Sequence, residues 1–273
     1  MHARHVITST SNTRLKQVRR LGTVRRRRAV GGFVVEGYRL LRRALDAGVV
    51  VEALYVAPAL FRGCGEVVLV ARAEATGAPV FEVAPGPFAA VATAGRPDGL
   101  LAVVRRPPTG LARLPLEGTS LVLVAEGVER PGNLGTIVRS ASAAGATGLI
   151  ACDPQTDLFH PGTVTASVGA AFRLPLAACR SAEAAAWLRE RGVAVVVATP
   201  DADTAPWDVD LTGPTALVVG CEKRGVSEVW HREAEAEIGI PMPGEAVDSL
   251  NVAVAASVVL FEAVRQRANV VER

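Results

Sequence analysis

The sequence predicts an α/β protein in two parts: a parallel-sheet domain preceded by a small mixed α/β domain. Three observations carry this. In the C-terminal half, near-continuous apolar runs alternate with stretches of helical period, and continuous runs mark strands covered on both faces of a parallel sheet. In the N-terminal half the runs are short and mixed, with a basic leading edge. Between them, residues 105–119 (RRPPTGLARLPLEGT) hold three prolines and two glycines without a sustained period and read as a linker. The expected domains are residues 1–106 and 119–273, joined by 107–118.

Taken in order, Asn12–Arg20 and Tyr38–Ala47 read as helices; in the second, Leu40, Leu41, Ala44 and Leu45 recur at helical spacing. Phe33–Glu36, Val50–Val56, Val67–Leu69, Val80–Val83 and Leu100–Val104 read as strands. Past the linker, Leu121–Ala125, Gly148–Ala151, Val193–Ala198 and Ala216–Val219 read as buried strands, with a weaker one near Ile238. Leu134–Ala144 and Ala182–Glu190 read as helices between them. A last helix, roughly Asn251–Arg267, repeats Val252, Ala255, Ala256, Val259, Leu260 and Ala263 on one face and closes on Arg265 and Arg267, charges suited to a helix C-terminus.

Charge distribution says more than net charge. Residues 1–43 hold twelve Lys/Arg and one acid, Glu36, while the remainder is net acidic. This asymmetry points to a basic surface facing a nucleic acid, with Lys16, Arg25, Arg26, Arg27 and Arg28 as candidate phosphate contacts; the alternative is a solvated basic tail. Aromatic residues make up only 4% of the chain, so few rings are free to stack on bases. Cys64, Cys152, Cys179 and Cys221 form no C-x-x-C pair and lie at no metal-ligand spacing from a histidine, so no metal is expected. No signal peptide and no bilayer-length apolar run is visible, and a cytoplasmic protein with no membrane partner is expected.

Ligands of open α/β sheets bind beyond the carboxyl ends of the strands. Glycine-rich and polar stretches follow the strands here, but none is the G-x-G-x-x-G dinucleotide fingerprint. Gly220–Gly225 has the glycine spacing of a P-loop without its lysine, which disfavours a nucleotide hydrolase. Pro131-Gly-Asn-Leu-Gly-Thr-Ile-Val-Arg139 is more informative. Pro-Gly-Asn starts a helix, Leu134, Ile137, Val138 and Ala141 form its buried face, and Gly135 precedes Arg139 by one turn. That spacing suits either a guanidinium beside an approachable backbone or an ordinary exposed arginine over a packed glycine.

Three stretches together carry a resemblance: Asn133-x-Gly135-x-x-x-Arg139; Val219-Gly220-x-Glu222-x-x-Gly225-Val226-Ser227; and Ile240-Pro241-Met242 with Ser249-Leu250-Asn251-Val252. Their order and spacing, over residues 121–267, resemble the three motifs of the SpoU (TrmH-like) ribose 2′-O-methyltransferases of the SPOUT superfamily. More weakly, Ile7-Thr-Ser through Gly37 is similar to the RNA-binding domain that precedes SpoU domains. The resemblance implies a trefoil-knotted methyltransferase domain after an L30e-like domain, S-adenosylmethionine as methyl donor, rRNA or tRNA as substrate, and a homodimer.

It further implies cofactor contacts at Thr199, Gly220, Ile240, Met242 and Leu250, with Arg139 meeting the RNA. Asn133 would orient Arg139 or the substrate, or else cap its helix. Glu222 would pair with Arg139 or a partner-subunit residue, or form a surface ion pair. Ser249 and Asn251 would bond ribose or cofactor, or cap the last helix. The chain departs from the pattern at Thr165, where many relatives carry arginine. Two other classes stay in view: a non-catalytic RNA-binding factor of the same fold, and a dinucleotide oxidoreductase, which lacks its fingerprint.

Overall fold

The computed structural model describes residues 6–244 and 249–271. The chain divides into two compact units, Met1–Pro107 with Phe159–Phe172, and Pro108–Leu158 with Arg173–Arg273.

In the first unit, α1 (Thr13–Arg20) begins where the Asn12 side chain accepts the Arg14 N–H, an N-cap bond. It buries Leu15 and Val18 and leaves Lys16, Arg19 and Arg20 outside. α2 (Val24–Val30) ends at Gly31, whose φ of 69° is the left-handed cap that glycine adopts without strain. β1 (Gly32–Glu36), α3 (Tyr38–Asp46), β2 (Val51–Val56), α4 (Gly65–Ala75), β3 (Val80–Glu82), α5 (Pro85–Ala89) and β4 (Leu100–Arg105) follow. The sheet order is β1-β4-β2-β3, with β4 antiparallel to both neighbours and β2 parallel to β3. Leu15, Val34, Tyr55, Phe88 and Leu101 share a core on one side. The strand expected at Val67–Leu69 is instead part of α4. Val67 and Val68 are exposed and Leu69 and Val70 buried, so these apolar residues lie around a helix rather than alternating across a sheet.

β5 (Leu121–Glu126), α6 (Pro131–Ala143) and β6 (Gly148–Cys152) open the second unit. α7 (Pro161–Ala166) lies in the Phe159–Phe172 segment of the first. There the rings of Phe159 and Phe172 stand 4.8 and 6.4 Å from that of Phe33, and the Arg43 guanidinium donates to the Val168 carbonyl. β7 (Leu176–Cys179), α8 (Ser181–Arg189), β8 (Ala194–Ala198), β9 (Thr215–Val219), α9 (Glu228–Glu233), β10 (Ala236–Ile238) and α10 (Val252–Val271) complete the chain. The six strands form one sheet, β10-β8-β9-β5-β6-β7, with every pair parallel. β5, β6 and β9 are buried along their whole length, which is the origin of their unbroken apolar runs. The chain builds β6 and β7 on one side of β5, crosses to β8, and lays β9 between β8 and β5. Ligand sites form beyond the carboxyl ends at such a reversal.

Residues 107–118 are not a free tether. Leu111 and Leu114 enter the core beside Val122 and Ile150, and the Thr109 carbonyl accepts the Ala178 N–H (2.9 Å) along edge strand β7. Prolines interrupt any period in this stretch, and its packing is invisible to a reading based on period. No described helix is long and apolar enough to cross a membrane.

Candidate active site

β9 delivers the chain into a tight loop, Gly220–Gly225, closed by the Gly225 N–H on the Cys221 carbonyl (2.9 Å). A Cβ on Gly220 would lie 2.1 Å from the Gly225 carbonyl carbon, so this crossing admits no side chain. The loop presents Glu222, whose Oε1 accepts Asn133 Nδ2 at 2.6 Å and Asn251 Nδ2 at 3.0 Å. Asn251 Nδ2 also lies 3.3 Å from Asn133 Oδ1. One residue from each of three stretches, up to 118 positions apart, thus meets in a single cluster.

The two asparagines play different local parts. Asn133 sits in the first turn of α6 and is not its cap, which is Arg130. Asn251 does cap α10: its Oδ1 accepts the Ala253 N–H (3.0 Å) while its amide turns to Glu222. The capping and cluster roles coexist on one side chain. The expected pairing of Glu222 or Asn133 with Arg139 is not found; their partners are each other and Asn251. Arg139 is six residues beyond Asn133, about 9 Å further along the α6 axis and on a different side of it. It is exposed and has no side-chain partner among the described residues.

Next to Asn251 lies an apolar slot lined by Ala198, Thr199, Ile238, Ile240, Met242 and Leu250, with Ser249 at its polar edge. Four of the five expected cofactor residues line it. Gly220 is not among the lining residues and makes the close crossing with Gly225. Gly239 shapes the slot in the same way, since a Cβ there would meet the Ala202 carbonyl oxygen at 2.1 Å. Ala198, Ile238 and Ala255 were missed in the sequence because they read as strand and helix core. Residues 245–248 lie outside the described residues.

A second cavity, of about 560 Å³, opens at the carboxyl ends of β5, β6, β7 and β9. Its floor is Glu126, buried at the end of β5. Glu126 Oε2 accepts the Ser227 N–H (2.6 Å), and Oε1 accepts the Ser227 hydroxyl (2.7 Å). The Ser181 hydroxyl lies within bonding distance of both Glu126 Oε1 and Asp153 Oδ2, and with one proton it donates to one at a time. Sequence reasoning missed this acid. Its signal is a carboxylate ending an apolar strand at the sheet edge where ligands bind. Nearby, Cys152 faces Cys179 across β6 and β7; a hydrogen bond with Cys179 and burial push the Cys152 thiol up. Among the described residues no group of three or more His, Cys, Asp or Glu is placed to hold a metal.

The basic edge of the first unit needs one correction. Arg25, Arg26, Arg28 and Lys16 are exposed, as phosphate contacts must be. Arg27 is only 1% exposed and donates to the Leu21 and Gly22 carbonyls (2.8 and 3.0 Å), so it stitches the α1–α2 turn. Alternation of exposure around a helix, invisible in a run of four identical residues, separates it from its neighbours. Glu36, the lone acid, accepts from the Thr93 and Ala94 backbone and does not neutralise the edge.

Comparison with known proteins fits this geometry. Residues 120–261 match the SpoU rRNA Methylase family model, and residues 12–102 match the MRM3-like substrate binding domain. A 23S rRNA (uridine(2479)-2′-O)-methyltransferase of Streptomyces viridochromogenes is 34% identical over 95% of this chain and 92% of its own. The AdoMet-bound rRNA methyltransferase from Sinorhizobium meliloti superposes with a TM-score of 0.87 at 30% identity, covering 96% of this chain and 97% of that one. AviRb from S. viridochromogenes, a SpoU methyltransferase in complex with AdoMet, gives 0.85 at 31% identity over 94% and 98%. With Asn133, Glu222 and Asn251 gathered in one cluster, residues 120–261 matched by the family model and 94–96% of the chain covered by such relatives, the chain belongs to the SpoU rRNA methylase family.

Proposed function

We propose that this chain is an S-adenosylmethionine-dependent methyltransferase acting on a ribose 2′-hydroxyl of structured RNA, ribosomal RNA in preference to tRNA, in the cytoplasm. The observation that carries the reading is the convergence of Asn133, Glu222 and Asn251 one residue from an apolar slot. The named activity of the Streptomyces relative and the AdoMet held by two structural neighbours support it.

The lining of the slot suits the adenine end of the cofactor in its chemistry. Ile238, Ile240, Met242 and Leu250 offer apolar walls to an adenine ring, and the main chain around Thr199, Ile240, Met242 and Leu250 offers polar edges. S-adenosylmethionine, when bound, supplies an electrophilic methyl group. The protein's own task is to hold and deprotonate a weakly acidic hydroxyl. Both amides fix Oε1 of Glu222, leaving Oε2 to take the hydroxyl proton. Arg139 anchors phosphate and orients the hydroxyl; a guanidinium keeps its proton. Ser249 bonds the ribose at the slot's edge.

The same reading includes a homodimer and a knotted C-terminus. α10 exposes Val254, Val258 and Phe261, 39–50% accessible, at spacings of four and three residues, an apolar stripe suited to a second copy. Such a copy would bring its Arg139 to the cluster, which the Arg139 side chain of the same subunit does not touch.

The test is transfer of labelled methyl from S-adenosylmethionine to unmodified 23S rRNA transcript, with the 2′-O-methyl position mapped. RNA that stays unlabelled overturns the reading. Arg139→Lys should lower kcat/KM about 100-fold, because a point charge does not replace a planar fork; near-normal turnover would remove Arg139 from the mechanism.

A further inference from the structure

Resting on that reading, we propose that the cavity above Glu126 is a second nucleotide site. It receives a nucleotide of the RNA strand next to the one whose ribose is methylated, and Arg180 and Arg224 take its phosphate. The base has hydrogen-bond donors on its edge, guanine before uracil.

The volume of about 560 Å³ falls within the range of roughly 300–1,000 Å³ in which small molecules are bound. The lining is chemically mixed in the manner of a nucleotide. Arg180 and Arg224 are exposed at its wall, and neither has a side-chain partner among the described residues. Asp153 Oδ2 accepts the Ser181 N–H and lies within bonding distance of the Ser181 hydroxyl, and Oδ1, which has no partner among the described residues, remains as an acceptor on a residue that lines the cavity. A carboxylate oxygen selects donor edges, and guanine presents N1–H and N2–H₂ together. Asp153 holds φ at 43°, a left-handed conformation rare outside glycine, fixed by the same Ser181 bonds.

Position makes the site part of the RNA path. The Gly220–Ser227 loop is a shared wall: Glu222 stands in the catalytic cluster, while Arg224, Gly225 and Ser227 line the cavity. Glu126 bonds Ser227 at the loop's far end and so fixes both sides of the wall together. A strand crossing this loop places one ribose at Glu222 and the adjoining nucleotide in the cavity.

Ala182 is exposed on the cavity's lining, so Ala182→Trp fills the space without altering charge or core. Initial rates against 23S rRNA transcript should show KM raised about tenfold, kcat within twofold, and S-adenosylmethionine affinity unchanged by calorimetry. Asp153→Asn should raise KM in the same way. KM unchanged in both variants overturns the proposal, and so does a loss confined to kcat. Should the wild type transfer no methyl at all, the function itself is at fault. The site is then read by filter binding of the same transcript, where Ala182→Trp must weaken binding at least fivefold or the proposal falls.

Discussion

Asn251 joins two duties that a single substitution can pull apart. Its Oδ1 caps α10, and its amide holds Glu222. Serine keeps a side-chain cap but has no amide to give. Asn251→Ser should therefore keep the melting temperature within a few degrees while methyl transfer falls at least tenfold; a matching loss of both would make the residue purely structural. Arg27 is the opposite case. Truncating it strands two carbonyls under a turn, so Arg27→Ala should cost about 2 kcal/mol in denaturant unfolding and leave the salt dependence of RNA binding unchanged. Arg26→Ala should spare stability and reduce the slope of log K against log salt by about one. The motif residues were legible in the sequence only through their resemblance, in order and spacing, to the SpoU motifs. Their partners were not: Glu222 faces amides rather than Arg139, a matter of how loops close, and spacing does not encode it.

At the scale of elements, the buried strands of the second unit were readable because a parallel sheet demands continuous apolar runs. Failures came where the run was too short to show a period. Val67–Leu69 is helix, and β7 has four residues between Pro175 and Arg180 and passed unnoticed. α10 was readable from its apolar repeat, but not what ties down its end. Arg267 donates to the carbonyls of Thr119, Ser120, Leu211 and Gly213, gathering the entrances of β5 and β9 under the helix. Burial pushes its guanidinium below its ordinary pKa. Arg267→Ala should destabilise the protein by about 3 kcal/mol in chemical unfolding, since several charged hydrogen bonds vanish together; a change under about 0.5 kcal/mol, typical of surface sites, would show the carbonyls find water instead.

For the whole molecule, the two-part α/β class was legible from patterning, and the basic edge from charge. The return of Phe159–Phe172 to the first unit was not, because nothing local in that segment announces where it packs. The dimer reading makes its own demand. Phe261→Asp places a charge on the exposed stripe of α10 and should shift the protein from dimer to monomer in sedimentation velocity; an unchanged sedimentation coefficient would move the interface elsewhere. Mixing inactive Arg139→Ala with inactive Glu222→Ala should restore part of the activity if the two residues act across subunits, and none if each site is built from one chain.

The rings around Phe33 bear on how such a gene can be cut and recombined. A fragment ending at residue 107 lacks Phe159 and Phe172 and leaves Phe33 wet, so it should bind hydrophobic dyes that the intact protein ignores. An N-terminal half exchanged between homologues would inherit the wrong aromatic plug unless residues 159–172 travelled with it. Grafting this unit thus takes two pieces of DNA, not one.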